Sequence, residues 1–502
     1  MGKKKSVVLM TLLTIVIVVL SALTAFPAFS FPGDSVKQWN PAIMQYDLGM
    51  DLGGGYYAYY YPEGVKTETE IENDCADLSE EEKKDYMESY YNPAGSSLYF
   101  DTDDRKNIVT GDAESGYQIS DDFTVAFDAA AKEISARFAA RGYSDYTVSI
   151  VDGYAIKVTL PASDVYAAQT LASFMLTDEM TIAKGDAIVD ELKGKEAKIT
   201  DLVKGFSVVD LNGAAYLTIN FTKAGKKMVA AMKNSLTEST AATGNDDVTM
   251  NIKIGDETIV TIYKDFINNS NAAMYPMAEI DEKAYVKMVS ILMNSVLKEG
   301  DFEISFNSLA NTDIRKFDPV YGKNTMLMVF IAAGIAMLGL SVFAVLKMGR
   351  FGGVSVYNIF SYLIVVGLCF AFISKGIFEI TLGSVLIFLA ILVVMSVLHV
   401  HIYNAVKAEF NLGKTVESSV KAGFNKTIWT VVDVYAVLLL GSLALLIGGA
   451  GMTTFALQAI ICIVTGAFCN LLWGRFINYT FLSASKNKYK YFRFVREDDD
   501  DE

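Results

Sequence analysis

Histidine is nearly missing from this chain: two residues in 502, His399 and His401, both inside one apolar run. A His-ligated zinc or a Ser-His-Asp site in the polar part is thereby excluded. Cysteine is equally sparse. Cys369, Cys462 and Cys469 lie in apolar runs and Cys75 stands alone in the polar region, so no intrachain disulfide forms there. No metal-ligand spacing exists, and Asp101-Thr102-Asp103-Asp104 lacks the glycine and distal glutamate of a calcium loop. No glycine loop cradles phosphate, because Gly53-Gly54-Gly55 precedes an aromatic strand, Tyr56 to Tyr61, rather than a helix. Positive charge is in deficit at −15, which argues against nucleic acid. No nucleophile and base come together in the sequence, so neither enzyme activity nor a cofactor is expected.

What the chain has is long apolar runs. Ser6 to Phe31 carries no charge and follows Lys3, Lys4 and Lys5. It is longer than a signal-peptide core and lacks an A-x-A site, so it reads as an uncleaved anchor. A long acid-rich polar region follows. Apolar runs then return at Thr325–Leu346, Val354–Ile373, Thr381–Ile402, Ile428–Ile447 and Thr453–Trp473, each long enough to cross a hydrocarbon core of about 30 Å. Six spans result, with an α+β region between the first and second. Basic residues (Lys3–Lys5, Lys347, Arg350, Lys407, Lys414, Lys421, Lys426 and Arg475 onward) gather on one side. Of the opposite short loops, one holds a single base, Lys375, and the other, around Gly448–Gly451, no charge at all. The positive-inside rule puts both termini in the cytoplasm and the polar region outside.

In that region Phe123, Phe127, Ala130, Ile134 and Phe138 mark one helix face that Gly142 can cap. Strands are expected around Val148–Ile150 and Ile156–Leu160, joined at Asp152-Gly153. Ser163 is a candidate cap for a helix running to about Met175. A second unit has a strand at Ala215–Phe221, a Thr222-capped helix, and strands near Val248–Ile254 and Thr258–Tyr263. A helix over Asp281–Lys298 and a strand at Phe302–Phe306 lead into the second span. Glu63–Glu88 holds eleven acids against three bases and reads as a solvated, mobile insertion. Helices alternating with hairpins point to an α+β, ferredoxin-like domain.

One carboxylate interrupts a span. Asp433 is the only charge between Ile428 and Ile447. A carboxylate at a span's centre costs about 2.5–3.5 kcal/mol, less toward the ends, so it is expected to face a bundle interior. It is there either as a functional group or as a hydrogen-bonding link between helices.

At these residues the chain resembles the SecD family, membrane subunits that assist the Sec protein-export channel. The family's G-L-D-L-x-G-G signature is matched by Gly49-Met50-Asp51-Leu52-Gly53-Gly54-Gly55. Its helix and V-V-E-L-P-G stretch resembles Ala130 to Pro161, with Arg137 and Arg141 among the basic positions. Its T-x-E-G-A-K-K-F helix resembles Thr222 to Met228. Its intramembrane block E-A-G-F-K-R-A-F-S-T-I-L-D-A-N lines up on Lys421 to Tyr435, through Gly423, Phe424, Asp433 and Tyr435. One departure stands out. Where the family carries an Asp in the fourth span, this chain has Val397, with His399 at the following Asn. His399 either substitutes as the titrating group or only hydrogen-bonds between helices.

The resemblance implies an α-helical membrane protein of six transmembrane helices, the last five an RND-type block, with a large ferredoxin-like extracytoplasmic domain. It implies a cytoplasmic start and first helix at 1–31, an outer domain at 32–322, helices 2–6 at 323–476 and an acidic cytoplasmic tail at 477–502. Within the outer domain a base of about 34–161 and 275–322 would carry a head of about 162–274 and an acidic insertion of about 63–120. The implied function is assisting late translocation of unfolded exported polypeptides with the ion gradient, in a bacterial plasma membrane. The implied partners are a SecF-like membrane subunit, the Sec translocon channel and the lipid bilayer. Asp433 and His399 are the ion-relay candidates, and Gly49, Asp51, Leu52, Gly54 and Gly55 are motif positions. The alternatives are an RND-type exporter of small molecules or lipids, and an uncoupled translocon scaffold.

Overall fold

A computed structural model describes residues 3–25, 29–30, 38–39, 42–102, 108–112, 114–193, 198–211, 214–236, 249–268, 273–276, 282–299, 304–309, 313–322, 324–373, 377–448 and 450–485. Chain order begins with α1 (Lys3–Ala25), a membrane-length helix, and the four-residue α2 (Met50–Gly53). Strand Gly55–Tyr60 then enters an antiparallel sheet in the order Arg315–Phe317, Gly55–Tyr60, Ala155–Pro161, Thr147–Val151. The Asp152-Gly153 turn has φ of 50° and 81°, the two left-handed residues that a tight hairpin between Thr147–Val151 and Ala155–Pro161 requires.

The acidic insertion is folded, contrary to the expectation of a mobile segment. Helices α3 (Glu68–Asp74) and α4 (Glu80–Glu88) each start on a capping box, Thr67 with Glu70 and Ser79 with Glu82. A small sheet of Val65–Thr67, Leu98–Asp101 and Tyr90–Tyr91 supports them, and Val65, Leu98 and Phe100 are buried in the domain core. The composition drew attention to acids; the capping serines and threonines and a few apolar anchors decided the outcome. Cys75 is buried here as well.

Helix α5 (Asp121–Arg141) follows, with Ser120 accepting from Phe123 N at its start and Gly142 left-handed at its end. Phe123, Phe127, Ala130, Ile134 and Phe138 share one core with Ala58, Tyr60, Ile156 and Val158 of the sheet. Burying each such large side chain contributes about 1.5–3 kcal/mol. The next helix, α6 (Ala167–Phe174), begins after Tyr166 without a side-chain cap, so Ser163 does not play the expected role. Asp164 instead turns the chain, its carboxylate accepting from Tyr166 N at 2.8 Å. Arg137 is buried and donates to Phe174 O, Leu176 O and Ser295 Oγ, pinning α5 to the end of α6.

A second pair of sheets comprises Ala187–Ile188, Met180–Lys184, Thr249–Ile254 and Glu257–Tyr263, then Val203–Leu211, Ala214–Phe221 and Ala273–Pro276. Helix α7 (Lys223–Ser235) is capped by Thr222, whose hydroxyl accepts from Gly225 N. Helix α8 (Glu282–Glu299) leads back toward the membrane. The expected strand at Phe302–Phe306 lies partly outside the described residues; Phe306 forms a single bridge with Pro62, and the strand that joins the first sheet is Arg315–Phe317.

The membrane half consists of α9 (Thr325–Met348), α10 (Arg350–Ile373), α11 (Leu382–Asn411), α12 (Val416–Leu445), α13 (Ala450–Phe468), a π-helical turn at Cys469–Trp473 and α14 (Gly474–Ala484). Among the described residues, six segments, counting α1, are long and apolar enough to span a bilayer. The last continues unbroken to Ala484, eight residues beyond the 476 boundary read from the sequence. Lys375 and most of the acidic tail lie outside the described residues.

Candidate functional site

Two places gather the motif residues: the joint between the α+β domain and the membrane helices, and the α11–α12 pair within the membrane.

At the joint, the Gly49–Gly55 motif docks on the loop between α10 and α11. Gly49 N donates to Ile380 O at 2.9 Å and Ile380 N to Asp47 O at 2.7 Å. Asp51 Oδ2 accepts from Leu382 N at 2.6 Å, placing a carboxylate on the first residue of α11, where unpaired N–H groups and the helix dipole favour an anion. Leu52 is buried among membrane-side residues that include Met337, Phe378 and Ile380. Glycine is required by geometry. Gly54 has φ +71° and ψ −167°, and a Cβ there would stand 2.5 Å from Phe317 O. A Cβ on Gly55 would stand 2.2 Å from Leu160 O.

Glu379 completes the joint from the membrane side. Its buried carboxylate accepts from Ser144 N at 3.0 Å and Asp145 N at 3.1 Å, and also from the Ser144 hydroxyl. Asp145 Oδ2 in turn accepts from Met50 N at 2.5 Å. Burial pushes both carboxyls above the ordinary range, and Asp145 is pushed further by the negative charges of Asp51 and Glu379. The backbone of Glu379 is tied deeper into the bundle: Gln458 Nε2 of α13 donates to Glu379 O at 2.9 Å, and Gln458 Oε1 accepts from Ser384 Oγ at 2.7 Å. The sequence reading missed Ser144, Asp145, Glu379 and Gln458. The signal was present, since Glu379 is the only acid in the loops joining spans 2–3, 3–4 and 5–6, and Gln458 is a polar residue within a span.

Within the membrane the two relay candidates are not brought together. Asp433 is exposed, contrary to the expectation that it faces the bundle interior. It sits on an outward stripe of α12 with Trp429, Val437 and Leu440, which are 73%, 69% and 66% exposed. The reason is packing. Gly423, where a Cβ would stand 2.4 Å from Val406 Cγ2 and 2.7 Å from its backbone, brings α12 hard against α11. That contact buries Phe424, Val431 and Tyr435 and turns Asp433 away. Val397, the position of the family's Asp, is 61% exposed on α11.

His399 lies in the bundle at 1% exposure, its ring tilted 35° against that of Phe351 with centroids 5.0 Å apart. Neither ring nitrogen makes a hydrogen bond of normal geometry, and the Phe351 backbone is the polar group that approaches it. His401 is exposed on another face. Tyr435 takes the place of the family's Asn, and its hydroxyl accepts from Asn470 Nδ2 at 3.0 Å. Asn470 also donates to Met395 O at 3.1 Å and belongs to the π-helical turn, a distortion that recurs at functional sites.

No family model matches the chain. Among curated proteins, the protein translocase subunit SecD of Borreliella burgdorferi is 26% identical over 183 residues, covering 35% of this chain and 30% of that protein. Among solved structures, SecDF in a super-membrane-facing form superposes with a TM-score of 0.52 at 16% identity, covering 94% of this chain and 57% of that one. SecDF from Thermus thermophilus gives 0.44 at 14% identity, covering 97% and 60%. The chain therefore spans little more than half the length of the SecDF chains it matches. It is a SecD-like, multi-pass membrane protein with an α+β domain set between its first and second spans.

Proposed function

We propose that the chain is a SecD-like subunit of the Sec export machinery of a bacterial plasma membrane. It assists late translocation of unfolded polypeptides, drawing on the ion gradient together with a SecF-like partner. Both termini are cytoplasmic and the α+β domain is extracytoplasmic, with the head of about 162–274 gripping the emerging chain and the base of about 34–161 and 275–322 standing on the membrane. The observation that carries this reading is the outward carboxylate of Asp433. A charge facing lipid is costly, whereas a second five-helix block laid on the α12 stripe gives it a polar partner. Asp433, rather than His399, is then the group through which the gradient acts, because a proton on His399 would sit uncompensated among Phe351 and its neighbours. Each charge moved across the membrane supplies about 2.3 kcal/mol per 100 mV. A few of them suffice to reorient a docked domain.

One observation favours a second reading. Val397 replaces the family's Asp on an exposed face, so an uncoupled scaffold that holds the channel without transducing energy also fits this position. The two readings separate by experiment. Tagged chain should bring down a SecF-like five-helix protein and the channel, and Asp433→Asn should then impair gradient-dependent export by the purified assembly. Co-purification with unimpaired export by Asp433→Asn selects the scaffold; failure to bring down either partner removes both readings.

A further inference from the structure

In the half of the bundle nearest the α11–α12 turn, a groove of about 450 Å³ runs between α12 and the last span. Its walls are Ile428 and Val432 of α12, Leu472 of the π-helical turn and Phe476 of α14. Leu472 and Phe476 are 66% and 43% exposed, so the groove opens to whatever surrounds the helices. Arg475 and Tyr479 close one end. Asn425, one turn before Ile428, stands at that same end, because Arg475 Nη2 donates to Asn425 Oδ1 at 3.2 Å. From there the walls run toward the middle of both spans. The groove is polar at its outer end and apolar along its length.

A guanidinium carries five N–H donors in a planar fork. Asn425 takes one of them and the charge lies over the Tyr479 ring at 5.9 Å; among the described residues no carboxylate pairs with Arg475. The acids at this end are committed or distant. Glu409 is held by Lys414 at 2.5 Å and Lys426 at 3.5 Å, and Glu417 is engaged elsewhere. Asp433 lies eight positions beyond Asn425, about 12 Å deeper along α12. Lys421, exposed one turn before Asn425 on the same stripe, adds a second positive charge. Trp429, 73% exposed beside the groove, marks the depth as that of a membrane interface. Asn425 and Tyr479 thus hold the fork in place, and its charge is left for a group from outside.

We propose that this groove binds one anionic phospholipid: the phosphate lies on the Arg475 fork with Lys421 beside it, and an acyl chain fills the apolar length along Ile428, Val432 and Leu472. Charge and shape select this occupant. A planar guanidinium matches two phosphate oxygens at once, and basic pockets between spans hold such headgroups. Orientation agrees as well, since the polar end faces the interface and the apolar length points to the bilayer centre, as a lipid of that leaflet stands. A zwitterionic lipid would bring an ammonium group against Arg475 and Lys421. A partner helix fits less well. Val432 is one residue, about 100°, around α12 from Asp433, so a block laid on the Asp433 stripe faces another direction. The site therefore stands apart from the export reading and belongs to the chain by itself.

The test titrates phosphatidylglycerol, with phosphatidylcholine as reference, into the full delipidated chain in detergent and counts bound lipid by native mass spectrometry. One equivalent of phosphatidylglycerol should bind saturably, at least about tenfold tighter than phosphatidylcholine. Arg475→Gln, which keeps a donor for Asn425, should weaken that equivalent by about tenfold or more. Arg475→Lys should recover only part of the loss, because an ammonium lacks the fork. Val432→Trp fills the groove without touching the cation and should weaken binding too; Leu472→Trp decides this arm if Val432→Trp is not monodisperse. Lys347→Gln removes a cation that lies over the Phe343 ring of α9, away from the groove, and should change nothing. Equal binding of the two lipids, a saturable equivalent untouched by Arg475→Gln or by groove filling, or one lost with Lys347→Gln overturns the site. So does displacement of the lipid by inorganic phosphate alone, which would reduce Arg475 to a surface anion contact.

Discussion

Replacing Asp433 by leucine should strengthen the isolated chain and weaken its assembly, a pair of opposite effects that few residues can produce. The side chain is exposed on α12, with Trp429 one turn before it and Val437 one turn after it, so the isolated chain presents a carboxylate to lipid. It stands about 7 Å from the middle of the Ile428–Ile447 run at 1.5 Å per residue. A carboxylate at the centre costs about 2.5–3.5 kcal/mol, and at this depth about 1–3 kcal/mol is a fair expectation. Asp433→Leu should therefore raise the unfolding free energy of the chain alone in bicelles by about 1–3 kcal/mol, with Asp433→Asn between the two. The same leucine in the presence of a SecF-like block should lower the yield of co-purified complex, because the partner's polar group is left facing hydrocarbon. A fall of more than about 1 kcal/mol in the isolated chain would refute the argument, since it would mean that Asp433 is bonded inside the bundle.

Other outcomes follow from packing. Gly423→Val should separate α11 from α12, since a Cβ already meets the Val406 backbone at 2.7 Å; a loss of about 1–3 kcal/mol or more is expected in a thermal or denaturant melt. Cys75 should react slowly with a thiol reagent in the folded protein and promptly in denaturant, being buried at 3% exposure; the sequence alone suggests an accessible thiol, and rapid native labelling would restore that view. His399→Phe should retain both stability and gradient-dependent export, because the ring packs against Phe351 without a hydrogen bond of normal geometry; loss of export with retained stability would return His399 to the relay.

Hydrophobic length alone located the six spans, because a bilayer imposes a minimum run that no other element imitates. The α5 face and the Asp152-Gly153 hairpin were equally legible, each resting on a local rule of period or turn chemistry. The strands Val203–Leu211 and Met180–Lys184 escaped because long-range partners, rather than local alternation, create them. The acidic insertion was misread for a related reason. Mean charge overrode two capping boxes and three buried anchors, although the boxes are written in the sequence as Thr67-x-x-Glu70 and Ser79-x-x-Glu82. Composition describes a segment's average, and its fold depends on a few positions.

The candidate site divides along the same line. Motif glycines could be named from the sequence, but their work could not: Gly54 and Gly55 clear room for Phe317 and Leu160, and Gly423 sets the α11–α12 approach that turns Asp433 outward. A carboxylate in a span is expected to face inward, and Asp433 faces outward. Distance along the chain hid the joint. Asp51, Asp145 and Glu379 are 94 and 234 residues apart in succession, so no window of sequence shows three acids converging. Their convergence is a property of the tertiary fold: Asp145 Oδ2 accepts from Met50 N within the α+β domain, and the Glu379 carboxylate accepts from Ser144 N and Asp145 N across the joint.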